Sequence, residues 1–553
     1  MDKLKPKLFS VLKNYSKQQL IKDIIAGVIV AIIALPLSIA LAIASGVSPE
    51  RGLYTAIFAG FFISFLGGSR VQIGGPTAAF VIIIYDIQKN YGMNGLIIAT
   101  IMAGIILILM GLLRLGTLIK FIPSTITVGF TSGIAVSIFV QQIKDFLGLN
   151  LSADPEDFIH RINLYISDIN TFNIYALLIG AIALLIQIIW PKITNKIPGS
   201  LVAIIITTAI VNLTHMDVNT IGSLYEVSGA FPTPTLPSGI NFNTIKELIS
   251  PAMTIAILAA IESLLSCVVS DGMVGSRHRS NMELVAQGCG NIASAIFGGI
   301  PATGAIARTA ANVKNGGRTP ISGMVHAITL LLVLLLLMPY AGLIPMPALA
   351  AILMIVAYNM SEWRSFKSML KAPKSDVIVL LLTFFLTVIF DLVIAIEVGM
   401  VATAFLFMNR MANVTDINEL NYRVASDDGE DVEDDPDAIS LRVIPKHVSV
   451  FEINGPMFFG AADKFNGLLR SISADTKVII LRMRSVPAID ATAFNTLKKI
   501  HQECIEQNKS LILSHVNEQP MSVICKQNFN KVIGNDNICP HIDEAILRAK
   551  ELL

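Results

Sequence analysis

The 553-residue chain is 53% hydrophobic and 15% charged, with a mean hydropathy of +0.67. Long apolar runs in such a composition argue against a soluble globular protein and for a polytopic membrane protein. The net charge of +1 gives no overall field for nucleic acid; the charge is segregated, basic at Lys3, Lys5, Lys7, Lys13, Lys17 and Lys22 and acidic over 427–437.

The first apolar run, 23–44, is too long for a cleavable signal peptide and lacks a small-residue cleavage site. Residues 1–22 form a basic N-terminal segment, and Pro36 breaks the first span. At about twenty residues per crossing, residues 23–410 hold fourteen apolar segments, the third and tenth of them short. With the N-terminus inside, inner loops receive Arg70, Arg114, Lys120, Lys192, Lys196, Arg277, Arg279, Lys314, Arg318, Arg364, Lys367, Lys371 and Lys374. Outer loops receive only Arg51, Lys89, Lys144, Arg161 and Lys246. This bias places both termini in the cytoplasm. The long polar loops, 145–173 and 215–249, fall outside.

Two glycine- and proline-broken stretches interrupt this hydrophobic sequence, Gly74-Gly75-Pro76-Thr77-Ala78-Ala79 and Gly298-Gly299-Ile300-Pro301-Ala302-Thr303-Gly304-Ala305-Ile306. Each opens the third segment of its half. Seven segments per half force the second half, about 250–410, to insert upside down relative to the first, about 23–213. A helix that starts at membrane depth leaves its first amides unpaired, with the positive dipole end behind them. Such backbone survives only where it lines a cavity or is buried in protein. Two starts, one per repeat, mark a transporter site near the bilayer midplane, and their polarity suits an anion. Thr77, Ala78 and Ala79 on one side, and Gly304, Ala305 and Ile306 on the other, have side chains or backbone that let a ligand near the amides. Tight packing by small residues is the plainer reading, and the two coexist.

Glu262 is the only acid of the apolar stretch 254–266. A carboxylate there must be protonated, paired or ion-bound, so it is a candidate coupling site for a proton or cation. Ser266, one turn on and on the same face, is a candidate further ligand. Arg308, about two turns into the tenth helix, offers a fixed charge able to hold an oxyanion by two parallel hydrogen bonds. An ion pair with Glu262, or snorkelling to water, is the competing assignment. His326, flanked by apolar residues, reads as packed and hydrogen-bonded; Asp391 and Glu397 read as structural. No P-loop, zinc cluster or catalytic triad is present. We therefore expect no cofactor, no metal and no enzyme activity.

Beyond the acidic linker, 411–437, short apolar runs alternate with helical patterns over 438–553. Strands are predicted at 448–453, 478–481 and 511–514, and helices at 461–471, 491–507 and 543–552, giving a cytosolic α/β domain. Three of the five cysteines, Cys504, Cys525 and Cys539, lie in this tail and two, Cys267 and Cys289, in the membrane region. Without paired spacing, they are expected to be structural thiols.

Taken together, Leu35-Pro36-Leu37-Ser38-Ile39-Ala40, Ile73-Gly74-Gly75-Pro76-Thr77, Glu262-Ser263-Leu264-Leu265, Ser280-Asn281-Met282-Glu283-Leu284-Val285-Ala286-Gln287-Gly288 and the run from Gly298 to Asn312 resemble the SulP family of anion transporters, the prokaryotic relatives of the SLC26 transporters. The resemblance covers nearly the whole chain. It implies a seven-plus-seven inverted repeat in which a core (spans 1–4 and 8–11) moves against a gate (spans 5–7 and 12–14), a homodimer, a bacterial inner-membrane location and a C-terminal STAS domain. It also maps the anion site onto the two helix starts, the first helix and the eighth. Arg308 matches the arginine facing the anion in animal relatives, while their polar and aromatic first-helix positions fall on Leu37 and Leu41, and their third-helix aromatic on Thr77. Glu262 matches the eighth-helix acid and is more like proton-coupled members than sodium-coupled ones, which carry aspartate there. In the tail, Asp490-Ala491-Thr492 resembles a STAS phosphorylation loop with Ala491 in place of the serine, leaving Thr492 as a candidate acceptor and a cytosolic partner of the domain as an expectation. The implied function is secondary active transport of a small inorganic or carboxylate anion (sulfate, dicarboxylate or bicarbonate), proton-coupled by symport. An uncoupled exchanger or channel of the same fold is the alternative.

Overall fold

Prolines set where many of the helices begin. Pro49 occupies the first turn of Pro49–Leu66, and Pro123, Pro198, Pro320, Pro345 and Pro373 directly precede Ser124–Leu147, Gly199–Thr214, Ile321–Ala341, Met346–Met360 and Lys374–Ile389. The first turn is where the missing amide of proline costs nothing. Left-handed glycines close two of the helices, Ser124–Leu147 at Gly148 (φ 63°) and Phe242–Val274 at Gly275 (φ 64°). The structure is a computed structural model that describes residues 4–117, 123–153, 155, 157–194, 197–238, 241–390, 392–419, 439, 442–458 and 475–553. The predicted helix 461–471, the acidic stretch 427–437 and Asp391 lie outside the described residues.

The fourteen predicted segments correspond to helices. Span 1 is Lys17–Ala44, span 2 Pro49–Leu66, and spans 3 and 4 share the helix Val81–Leu112. Spans 5, 6 and 7 are Ser124–Leu147, Ile174–Ile193 and Gly199–Thr214. Spans 8, 9 and 10 are Phe242–Val274, Ser280–Ile296 and Ile306–Lys314. Spans 11 to 14 are Ile321–Ala341, Met346–Met360, Lys374–Ile389 and Leu392–Val414. Among the described residues, seven helices are, by length and composition, long and apolar enough to cross a membrane. Spans 3 and 4 meet at Gly92, where φ 65° and ψ −173° interrupt the helix in a conformation costly to any residue with a Cβ.

Helix packing obeys the repeat. Span 11 packs on spans 1 and 2, span 9 on spans 2 and 4, and span 8 on span 4. A second group has span 12 on spans 5 and 6, and span 13 on span 5. Shifting each span number by seven turns the 11–1 contact into 4–8, 11–2 into 4–9 and 13–5 into 6–12, while 9–2 and 12–5 map onto themselves. The two groups coincide with the core and gate. Small residues allow close core approach: a Cβ on Gly104 would lie 2.8 Å from the Gly288 carbonyl and 2.7 Å from Ile292.

The chain divides into two compact units, 1–400 and 401–553. In the second, five strands, numbered after β1 (Gly74–Gly75) and β2 (Thr303–Gly304) of the first, run in the order β3 (Asp416–Glu419), β4 (Val448–Asn454), β5 (Val478–Ser485), β6 (Ser510–Ser514) and β7 (Ile538–Cys539). β3 is antiparallel to β4 and the rest are parallel. Alternate strand residues feed two cores: Phe451, Ile453, Ile479 and Leu481 face Phe494, Leu497 and Phe529, while Val450, Val478 and Ile480 face Ile542, Ile546 and Ala549. A parallel sheet covered on both faces explains the near-continuous apolar strands. Helix Ala491–Glu506 is N-capped by Asp490, whose side chain accepts from Ala493 N, and Thr492 in its first turn is exposed.

The predicted linker differs at its start. Span 14 continues to Val414, and β3 follows at 416–419. The polar sequence there pairs its backbone with β4 rather than remaining a connector. Helices Glu518–Lys526 and Phe529–Ile533 and strand β7 were too short for their periodicity to stand out.

Candidate functional site

The two broken stretches meet. Gly74–Gly75 (β1) and Thr303–Gly304 (β2) form a two-residue antiparallel pair, Gly74 opposite Gly304 and Gly75 opposite Thr303. Ala305 N extends it by donating to Ile73 O at 2.9 Å. Glycine is required for the approach: a Cβ on Gly304 would collide with Gln72 Nε2, and one on Gly75 with Arg308 Nη1. From this crossing the third-segment helix leaves through Ala78–Phe80 into Val81–Leu112, and span 10 leaves from Ile306. Neither Thr77 nor Ala305, the two N-cap residues, gives its helix a side-chain cap. The first amides of both helices are therefore left to the space beside the crossing. Ala78, Ala79, Gly304 and Ala305 are buried there, Thr77 is half-buried and Ile306 is exposed.

A frame of polar side chains, which the sequence reading did not single out, satisfies the rest of this non-helical backbone. Asn291 accepts from Ala302 N and donates to Ala302 O, both at 2.8 Å. Thr55 Oγ1 accepts from Ile300 N at 2.7 Å, and Ser294 donates to Ile300 O at 2.7 Å. Arg51 Nη1 donates to Gly298 O at 2.8 Å. Opposite, Thr309 Oγ1 accepts from Ile73 N at 3.1 Å, and Asn312 donates to Val71 O at 2.9 Å. Glu283 accepts from Gly68 N and Ser69 N at 2.9 and 3.1 Å. The signal was present: Glu283, Gln287, Asn291 and Ser294 form one stripe along span 9, and all four are buried.

Glu262 joins the crossing directly. Thr77 Oγ1 donates to Glu262 Oε2 at 3.0 Å, linking span 8 to the start of span 3. Arg308 is buried at 4% exposure and donates through Nη2 to Pro76 O at 2.6 Å. Its Nη1 has no hydrogen-bond partner among the described residues. The alternative ion pair with Glu262 does not form, and no described ion pair includes Arg308. The crossing thus carries one uncompensated guanidinium beside two helix starts, with one carboxylate at their edge. Such a set can hold an oxyanion and pass a proton next to it.

Ser266 is buried and donates to Thr309 Oγ1 at 3.3 Å, so it belongs to the frame beneath the crossing. Leu37 is half-buried and Leu41 buried on span 1, which packs against span 10. The expectation for His326 needs correction. Its ring is fully buried, yet neither Nδ1 nor Nε2 has a hydrogen-bond partner among the described residues. Gly60, 3.8 Å from Nδ1 at its would-be Cβ, supplies no polar side chain there. All five cysteines are free. Glu397 is exposed on span 14.

Crossed half-helices inside an inverted repeat, with an arginine and a carboxylate near their meeting point, define a transporter architecture. Residues 20–383 match the sulfate permease family and residues 438–545 the STAS domain. YvdB of Bacillus subtilis is 42% identical over 536 residues, covering 96% of this chain and 98% of that protein. The bicarbonate transporter BicA of Picosynechococcus is 29% identical, covering 91% and 90%. The structure of murine Slc26a9 superposes with a TM-score of 0.89 at 18% identity over 99% of this chain and 94% of that one, a likeness of fold. The chain belongs to the sulfate permease (SulP) family. It is a multi-pass membrane transporter of anions with a C-terminal STAS domain, and its family is one of transporters rather than enzymes.

Proposed function

We propose that this protein is a proton-coupled symporter of a small oxyanion or carboxylate, working by alternating access. The observation that carries the proposal is the 3.0 Å hydrogen bond from Thr77 to Glu262, which puts the acid of span 8 in contact with a half-helix start. The anion docks between the starts of spans 3 and 10, where unpaired amides and helix dipoles favour negative charge. Arg308, buried without a carboxylate partner, adds the fixed positive charge. Proton uptake on Glu262 removes a negative charge beside the anion, so that the loaded core crosses the gate with less net charge. An empty core with Glu262 ionised keeps its Thr77 bond and returns. Thr77, Ala78, Ala79, Gly304, Ala305, Ile306 and Arg308 form the anion site, with Leu37 and Leu41 as its apolar wall and Glu262 as the coupling group; Ser266 supports it through Thr309.

Sulfate, bicarbonate and dicarboxylate all suit such a site, and relatives include a bicarbonate transporter. We further propose a homodimer in the bacterial inner membrane with both termini cytoplasmic, consistent with the distribution of basic residues. The test is uptake of labelled sulfate, bicarbonate and fumarate into proteoliposomes with and without an inward proton gradient. Gradient-stimulated uptake of one of them supports the proposal and names the substrate. Uptake indifferent to the gradient replaces it with the uncoupled exchanger.

A further inference from the structure

A second cluster of positive charge lies away from the crossing, on the face where span 1 begins. The short helix Lys7–Val11 packs there against span 2, with Lys7 N donating to Gly67 O at 2.8 Å and the Phe9 and Phe65 rings 6.3 Å apart. Between this helix, span 1 and the loops that precede spans 3 and 11 is a cavity of about 450 Å³. Lys7, Arg70 and Arg318 bring three cations to its wall, with Ser10 and Ser16 as hydroxyl groups; Lys7 Nζ donates to Arg277 O at 2.7 Å, and Arg318 Nη1 donates to Val313 O and Gly317 O at 2.7 and 2.8 Å.

Among the described residues, no carboxylate pairs with Arg70 or Arg318. Arg70 makes no hydrogen bond or ion pair among the described residues, and its Nε is buried without a partner. The nearby carboxylates are already hydrogen-bonded within the protein. Asp23 is fully buried and accepts from Tyr15 Oη, Gln19 Nε2, Arg318 N, Thr319 N and Thr319 Oγ1. Glu283 is held by Gly68 N, Ser69 N and Gln287 Nε2. An arginine with a buried, unpaired Nε in a cationic cavity is costly without an anion, and a guanidinium with hydroxyls beside it matches a phosphate group.

We propose that this cavity binds the phosphate of an anionic phospholipid in the leaflet at which span 1 begins. Free phosphate has the same chemistry, but the surroundings of the cavity favour a lipid. Phe9 on the short helix, Leu12 directly after it, and Ile21 and Ile25 early in span 1 are exposed apolar side chains on the elements that wall it. Basic and apolar residues side by side are what an interfacial segment needs to meet both headgroup and acyl chains.

The experiment uses the full-length protein and titrates phosphatidylglycerol, phosphatidylcholine and inorganic phosphate separately in mixed micelles, reading the thermal unfolding midpoint. Phosphatidylglycerol should raise the midpoint saturably and phosphatidylcholine should not. Arg70→Gln should weaken the phosphatidylglycerol response by ~10-fold or more in apparent affinity, the loss expected for a charge-assisted bond. Arg70 makes no protein contact of this kind, so the variant removes no structural bond; Arg70→Lys, which keeps the charge, should retain part of the response. A response to inorganic phosphate without one to phosphatidylglycerol overturns the lipid assignment. Equal phosphatidylglycerol responses in wild type and Arg70→Gln overturn the site.

Discussion

Thr77 Oγ1 donates to Glu262 Oε2 at 3.0 Å, so the opening residue of the third segment and the acid of span 8 form one hydrogen-bonded unit. A bond to an ionised acceptor contributes ~1.5–3 kcal/mol. Thr77→Val keeps the shape and removes the donor. It should lower gradient-driven uptake by ~10-fold or more, while Thr77→Ser should approach wild type. Initial rates in proteoliposomes decide this, and wild-type rates in Thr77→Val would show the contact to be incidental.

Arg308 depends on its fork geometry. Its Nη2 is committed to Pro76 O at 2.6 Å, leaving Nη1 for the anion. Lysine keeps the charge as a single point and cannot fill both roles. Arg308→Lys should raise KM by ~10-fold or more, the scale of one charge-assisted bond. Gly75→Ala, whose Cβ would displace Nη1, should raise KM as well without touching the arginine. Concentration dependence of uptake measures both, and an unchanged KM in the two variants would remove Arg308 from the anion site.

The frame beneath the crossing makes a stability prediction. Asn291→Leu is similar in size but strands the Ala302 N–H and C=O, each an unsatisfied buried group costing ~1–3 kcal/mol. Thr55→Val strands Ile300 N likewise. Each should lower the unfolding midpoint, and the double variant should lose less than the sum, because both residues hold the same short loop. Strict additivity in a double-mutant cycle would contradict a shared frame.

In the tail, Arg442 grips Asp543 with bonds of 2.6 and 2.8 Å, and that contact holds the Asp543 carboxyl below its ordinary range. The folded-state value is depressed. The contribution to stability is therefore present above the unfolded value of ~3.9 and is lost as pH falls through the lower folded one. Asp543 is 61% exposed, so the contribution is that of a surface pair, under ~1 kcal/mol. Amide exchange in Ile542–Glu551 should be faster in Asp543→Asn than in wild type at neutral pH, and the two should converge in acid. A difference that persists at pH ~2, below the unfolded value, would assign the effect to something other than this charge.

How much of this was legible in the sequence follows from the kind of signal each part carries. Apolar runs and prolines placed the spans, because length and helix starts are local properties. The paired Gly-Gly and Pro stretches placed the crossing, since little else tolerates broken helix at that depth. Gly92 was harder to read: one glycine in the polar stretch between spans 3 and 4 does not reveal a positive φ. The contact from Arg308 to the Pro76 carbonyl was not legible either, because its acceptor lies in a broken stretch that no periodicity describes. His326 misled because the residues facing it come from another span. Asn291 and Ser294 belong to a readable helical stripe on span 9, but their partners lie in a loop that no periodicity describes, and Thr55 meets that loop from span 2.

Glu262 as the coupling group is the central claim, and Glu262→Gln tests it most directly when gradient-driven uptake and substrate counterflow are measured on the same proteoliposomes. Counterflow needs binding and the core movement but no net proton transfer. The account predicts that Glu262→Gln retains counterflow and loses stimulation by an inward proton gradient. Gradient-stimulated uptake that persists in Glu262→Gln, with counterflow intact, would contradict it.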